Sequence, residues 1–172
     1  MAIKVISPVN LDEGHLVQEG AEVLGGQVVK LVKVGEENHI APAVAGDTTF
    51  PYGFCYGSSK AQPANELYIP FNYKAPLNRQ SVILTKGARV ELWDDGTEIK
   101  VGEETVKGVF ETSGSGSVIN APVGTLLYVS EKGQLTIEAD TEEPTQTGTI
   151  PVAVVEVAPE DANGVLVARI EL

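Results

Sequence analysis

The sequence predicts an all-β fold: a hairpin-built antiparallel β-barrel or β-sandwich with an extended N-terminal arm and little helix. Strand-like alternation of apolar and polar residues recurs along the chain, whereas no window keeps apolar residues three and four apart over three turns, as an amphipathic helix would. The 172 residues include 18 Gly and 10 Pro, spread at turn-like intervals, the punctuation that many short strands require. Three stretches also share one layout: a Gly that opens a strand (Gly26, Gly87, Gly124), a hairpin, a polar loop, and an apolar strand led by Gly or Pro. Helix is expected in under about a tenth of the chain, well below the usual third.

Taken in order, residues 1–11 read as an arm in which Ile3, Val5 and Pro8 alternate with polar positions, a pattern able to add as an edge strand to a neighbour. Residues 12–172 form the β domain. Within it, 12–111 and 118–172 are alternative sub-units joined by the Gly/Ser segment 112–117, whose composition is that of a flexible linker. In the first unit a strand at 27–34 passes through a loop at 35–38 into a strand at 39–41. In the second, a two-residue turn at Asp95-Gly96 would place Leu92 opposite Ile99 and Val90 opposite Val101, with Glu91 opposite Lys100. Apolar pairs then share one face and an opposite-charge pair lies on the other, so both criteria select one register. In the third, a loop of Glu131, Lys132 and Gly133 would pair Val129 with Leu135 and Leu127 with Ile137. Gly133 would take the left-handed conformation there. The apolar strands that end the units are expected at 53–56, 108–111 and 151–157, and 164–172 would be a closing strand.

Charge narrows the functional classes. Twelve basic against 24 acidic residues give a formal net charge of −12. Nucleic-acid binding needs a basic footprint to neutralise phosphates, and anionic lipid would repel such a surface. The balance suits a protein displayed at high density, or one that meets a basic partner surface. Cys55 is the single cysteine, so no intrachain disulfide is expected. The first residues lack the apolar run of a signal peptide, and no stretch approaches the ~18 apolar residues of a membrane span. Synthesis in a cytoplasm is therefore expected.

The chain's chemistry-bearing residues do not assemble into a recognisable site. His15 and His39 have no further ligand at zinc spacing. Cys55, between Phe54 and Tyr56, reads as a small buried hydrophobe, since a nucleophile would need an adjacent base. Asp94 and Asp95 suit a turn, and Glu103 and Glu104 do not complete the alternating oxygen ligands of a calcium loop. Glu138, Asp140, Glu142 and Glu143 read as a solvated acidic loop. No catalytic residue, cofactor or metal is expected. Two features point instead to interfaces. Trp93 shares the polar face with Glu91, Glu98 and Lys100, where it is either covered by another loop or serves as an anchor for a partner. Residues 57–77 carry Tyr68, Phe71 and Tyr73 among Pro63, Pro70 and Pro76, aromatic groups on a segment that proline has already restricted.

The recurring form is Gly-x-x-Val, then a polar stretch, then an apolar strand. Gly26-Gln27-Val28-Val29 leads through Ala41-Pro42-Ala43-Val44-Ala45-Gly46-Asp47 to Gly53-Phe54. Gly87-Ala88-Arg89-Val90 leads to Lys107-Gly108-Val109-Phe110, and Gly124-Thr125-Leu126-Leu127, with Leu in place of Val, to Pro151-Val152. In this style the chain resembles the small β-barrel decoration (cement) proteins of tailed-bacteriophage heads. The resemblance implies a structural virion protein without catalytic residues, made in the host cytoplasm and carried on the capsid exterior. It would stabilise the assembled shell by binding between major capsid protein subunits, most often as a homotrimer. Its candidate interface comprises Ile3, Val5, Pro8, Tyr68, Phe71, Tyr73 and Trp93. A tail or head-fibre component and a carbohydrate-binding β module are the alternatives.

Overall fold

The computed structural model describes residues 3–7, 11–56, 59–60, 80–93, 98–101, 104–110, 120–140, 147–159 and 165–172. They contain fifteen strands and no α-helix, so the protein is all-β as predicted. The strands are β1 (Ile3–Val5), β2 (Leu11–Val17), β3 (Glu22–Val23), β4 (Val28–Val34), β5 (Glu37–Pro42), β6 (Pro51–Tyr56), β7 (Ser59–Lys60) and β8 (Gln80–Leu84). There follow β9 (Arg89–Trp93), β10 (Glu98–Val101), β11 (Glu104–Lys107), β12 (Leu126–Val129), β13 (Leu135–Thr136), β14 (Ala153–Val157) and β15 (Val165–Ile170). A 3-10 turn, Thr147–Thr149, precedes β14.

Five strands close a barrel in the order β2-β5-β4-β6-β8. Only the β2–β5 pair is parallel. Closure gives every barrel strand a partner on both sides, although β2 meets β5 over only Leu16 and Val17. A six-stranded antiparallel sheet, β1-β9-β15-β14-β12-β13, lies beside it. Its inner face carries Val90, Leu92, Leu127, Val129, Ala153, Val155, Leu166, Ala168 and Ile170, all buried, while the alternating outward positions mix charged residues (Arg89, Glu91, Glu156, Arg169) with Leu126, Val154, Val165 and Val167.

Barrel and sheet share their walls. Three barrel strands carry adjacent apolar pairs, Val28-Val29, Phe54-Cys55 and Ile83-Leu84. Because successive strand residues point to opposite faces, Val29, Cys55 and Ile83 fill the barrel with Val17, Val23 and Ile40. Val28, Phe54 and Leu84 point outward into the larger core beneath the sheet. Such a strand is apolar on both faces, so a continuous apolar run replaces the alternating pattern.

The repeated glycines form one device used three times. Gly26, Gly87 and Gly124 have φ of 92°, 88° and 89°, a left-handed conformation that suits the third position of a type II turn. Each turn is closed by the next residue: the N–H groups of Gln27, Ala88 and Thr125 donate to the carbonyls of Leu24, Thr85 and Pro122. The glycine N–H groups donate to Cys55, Ile170 and Val155, whose own N–H groups donate back to the carbonyls of Gln27, Ala88 and Thr125. In the first and third copies the partner lies on the apolar strand predicted for that unit, β6 or β14. In the second it is β15, the closing strand. The strand predicted at 108–111 is replaced by a single bridge from buried Phe110 to Leu135.

Several registers differ from the sequence expectation. The strands at 89–93 and 98–101 form, but not as a hairpin with each other. One edge of β9 is taken by β1 (Ile3 opposite Leu92, Val5 opposite Val90) and the other by β15 (Leu166 opposite Leu92). A strand has two edges, so β10 pairs with β11 instead, Ile99 opposite Val106. The turn at Asp95-Gly96 lies outside the described residues. The β4–β5 loop is shorter than expected: Val34 pairs with Glu37, leaving Gly35 (φ 65°) and Glu36 as a two-residue turn of the II′ kind. Val129 pairs with Leu135 and Gly133 has φ of 70°, as predicted, but pairing stops at Tyr128–Thr136. Leu127 pairs with Ala153 on the other side. The sheet draws β9 from before residues 112–117 and β12–β15 from after them, so the units on either side are not independent. Residues 112–117 themselves lie outside the described set.

Candidate interaction surface

The structure redistributes the predicted interface residues. Ile3 is buried in the core beneath the sheet, and Val5 is half-buried against it. Ile3 thus offers no surface to a partner; β1 completes the chain's own sheet. Trp93 ends β9, its backbone opposite Val165, and its side chain lies outside the described residues. So do Pro8, Tyr68, Phe71 and Tyr73.

The two histidines, Cys55 and their neighbours occupy defined places. His39 and Ile40 are successive on β5, and Ile40 faces the barrel interior with Cys55. His39 therefore points to the other side of the barrel wall. Its Nε2 is 3.7 Å from Glu37, and its buried Nδ1 has no hydrogen-bond partner among the described residues. His15 has a partner that sequence reading missed. Its Nε2 lies 2.8 Å from Asp12 Oδ2, and the Tyr52 hydroxyl donates to the same oxygen. The His15 and Tyr52 rings meet edge to face, centroids 5.7 Å apart. Residues three apart on a regular strand face opposite ways; a bulge between Glu13 and His15 brings them together. Gly14, a glycine inside a strand, was the available signal.

The hydrogen bond to Asp12, then burial, then the Asp12 charge hold the Tyr52 hydroxyl above its usual pKa of 10.0. A neutral tyrosine favoured by the fold contributes stability that is complete below the ordinary tyrosine value and lost as pH rises through the raised one. Stability measured by urea unfolding should therefore decline on the alkaline side of pH ~10. Tyr52→Phe should lose part of that decline, and an identical alkaline profile in the variant would show that ionisation of Tyr52 does not cause it.

Two surface features remain. The outer face of the sheet is laced with ion pairs, Lys4–Glu91 (3.3 Å), Arg89–Glu156 and Arg169–Glu171 (2.9 Å). Each is exposed and worth little individually. Toward β12 and β14 that pattern gives way to apolar groups: Val123 and Val157 are 68% and 52% exposed, and Leu126, opposite Val154, is also exposed. The second feature is the β5–β6 loop. Lys30 Nζ and Asp47 Oδ1 are 2.5 Å apart and largely buried, and the Val44 N–H donates to Asp47 Oδ2 at 2.8 Å. Phe50, at the end of this loop, is 62% exposed.

Among the described residues no three His, Cys, Asp or Glu side chains are grouped to hold a metal ion, and no helix is long and apolar enough to cross a membrane. Compared with known proteins, the chain matches no family model, and no curated protein is significantly similar to it.

Proposed function

We propose that this chain is a structural protein that decorates an assembled tailed-phage capsid, self-associating and binding between major capsid protein subunits on the shell exterior. The observation that carries the reading is the exposure of Val123, Leu126 and Val157, on or next to β12 and β14, on a sheet whose outer face also carries ion pairs. Large apolar side chains exposed beside charged groups are the composition of a protein-contact site. The net charge of −12 favours a basic partner surface and steers the approach to it. The resemblance of the three Gly-led units to capsid decoration proteins supplies the identity of the shell.

Co-sedimentation with assembled tailed-phage capsids tests this, with light scattering to give the protein's own oligomeric state. Wild-type protein is expected to sediment with shells of its cognate geometry and to behave as a trimer in solution. The double variant Val123→Asp/Leu126→Asp, both positions being exposed, should fold normally and bind at least about fivefold more weakly, as expected when a contact worth over about 1 kcal/mol is removed. Shell binding that is unchanged in the double variant would remove these residues from the interface, and a wild type that binds no shell would sink the reading.

A further inference from the structure

We infer that the β5–β6 loop is a rigid protein-docking element anchored by Phe50, and that its partner presents an apolar pocket rimmed by basic side chains. Single exposed apolar residues are common on protein surfaces and by themselves indicate nothing. The loop beneath Phe50 is what distinguishes it. Besides the Lys30–Asp47 ion pair and the Val44–Asp47 bond, Thr147 fastens it from across the molecule. The Thr147 N–H donates to the Asp47 carbonyl (3.0 Å), and its hydroxyl to the Thr49 carbonyl (2.7 Å). Gly148 packs so closely here that an added Cβ would fall 2.8 Å from the Cβ atoms of both Ala45 and Asp140.

A loop with this many fastenings loses little freedom when it docks, which removes one of the main costs of association. An aromatic side chain held in that way, with its ring in water, matches the anchors that dominate protein interfaces. The partner's chemistry follows from the surroundings. Asp140, whose N–H donates to the Gly148 carbonyl, lies beside the loop, on a chain of net charge −12. Lys30, a cation beneath the loop, is already committed to Asp47. A second copy of this chain would bring the same acidic groups to the contact and be repelled. The occupant we assign is therefore a protein surface with a pocket for the phenyl ring and Lys or Arg at its rim. This inference stands whether or not the partner is a capsid.

Panning a random-peptide display library against the purified full chain provides the probe. Enriched peptides should combine an aliphatic or aromatic cluster with Lys or Arg, and their binding should weaken as salt is raised. Phe50→Ala, at an exposed position, should keep the wild-type circular dichroism and melting temperature while binding those peptides about 30-fold more weakly, the loss typical of an interface hot spot. Thr147→Val, which frees the Thr49 carbonyl without touching the phenyl ring, should weaken binding by a smaller factor. The inference is overturned if no salt-sensitive basic peptides are enriched, or if they bind Phe50→Ala as tightly as wild type. A concentration-dependent dimer that Phe50→Ala abolishes would overturn it too, by making a second copy the occupant.

Discussion

Replacing Gly53 by alanine should cost roughly 3 kcal/mol of stability, the upper end of what overpacking a filled core costs. Gly53 lies on β6, opposite Val29 on β4. A Cβ added there would sit 2.5 Å from the Ile83 side-chain methyl and 2.7 Å from the Leu84 carbonyl oxygen. Ile83 could rotate away, although it fills the barrel and is itself fully buried. The Leu84 carbonyl belongs to the wall, and moving it means shifting β8, whose Leu84 is paired with Phe54. For a chain of this size the melting temperature should fall by roughly 6–12 °C. Gly87→Ala is the informative comparison. Its Cβ would meet nothing within 4 Å, but φ is +88°, so its cost of about 1–2 kcal/mol would be conformational. If Gly53→Ala melts within a degree or two of wild type, the strands do not approach as closely as described.

The same contrast shows what could be read from the sequence. Gly26, Gly87 and Gly124 were legible because a left-handed turn leaves a local signature, and each does open a strand. The strands at 89–93 and 98–101 were legible for the same reason, since alternation is a property of neighbours in sequence. Their pairing was not. Residues 89–101 contain a self-consistent hairpin register, yet Val90 and Leu92 bury more by joining Ile3, Val5, Leu166 and Ala168, residues from the two ends of the chain. Nothing in the local pattern reports that both edges of β9 are already taken. Exposure was hidden in a similar way: Ile3 and Phe50 are equally apolar as letters, but one is fully buried and the other stands in water. Apolar composition states what a residue can bury, and the topology decides whether it does. The Asp12–His15–Tyr52 cluster depends on a bulge, which shifts every later side chain on the strand to the other face.

Removal of β1 should destabilise the protein whether or not any partner is present. Ile3 is fully buried in the larger core, and Ile3→Ala alone should cost about 2–5 kcal/mol, a large share of a typical folding free energy of about 5–15 kcal/mol. Deleting residues 1–7 takes this burial away and also the strand opposite Val90, Glu91 and Leu92. The Arg89 carbonyl, which accepts from the Ile6 N–H, would lose its partner. β9 would then be an open edge, the feature that promotes strand addition between molecules. Urea unfolding should give a lower midpoint for the truncated chain, and light scattering should show larger, heterogeneous species. A synthetic peptide of residues 1–7 supplied in excess should partly restore the midpoint, because a ligand that binds only the folded state stabilises it by mass action. The opposing role for this segment, a strand lent to a neighbouring subunit, makes a different forecast. The truncated chain would then unfold at the wild-type midpoint and lose only its association with other copies or with the shell. Ile3→Ala distinguishes the two most directly, since it leaves the β1 backbone in place. A stability loss in dilute solution, independent of protein concentration, assigns Ile3 to its own core, whereas a loss that grows on dilution assigns it to a neighbour's.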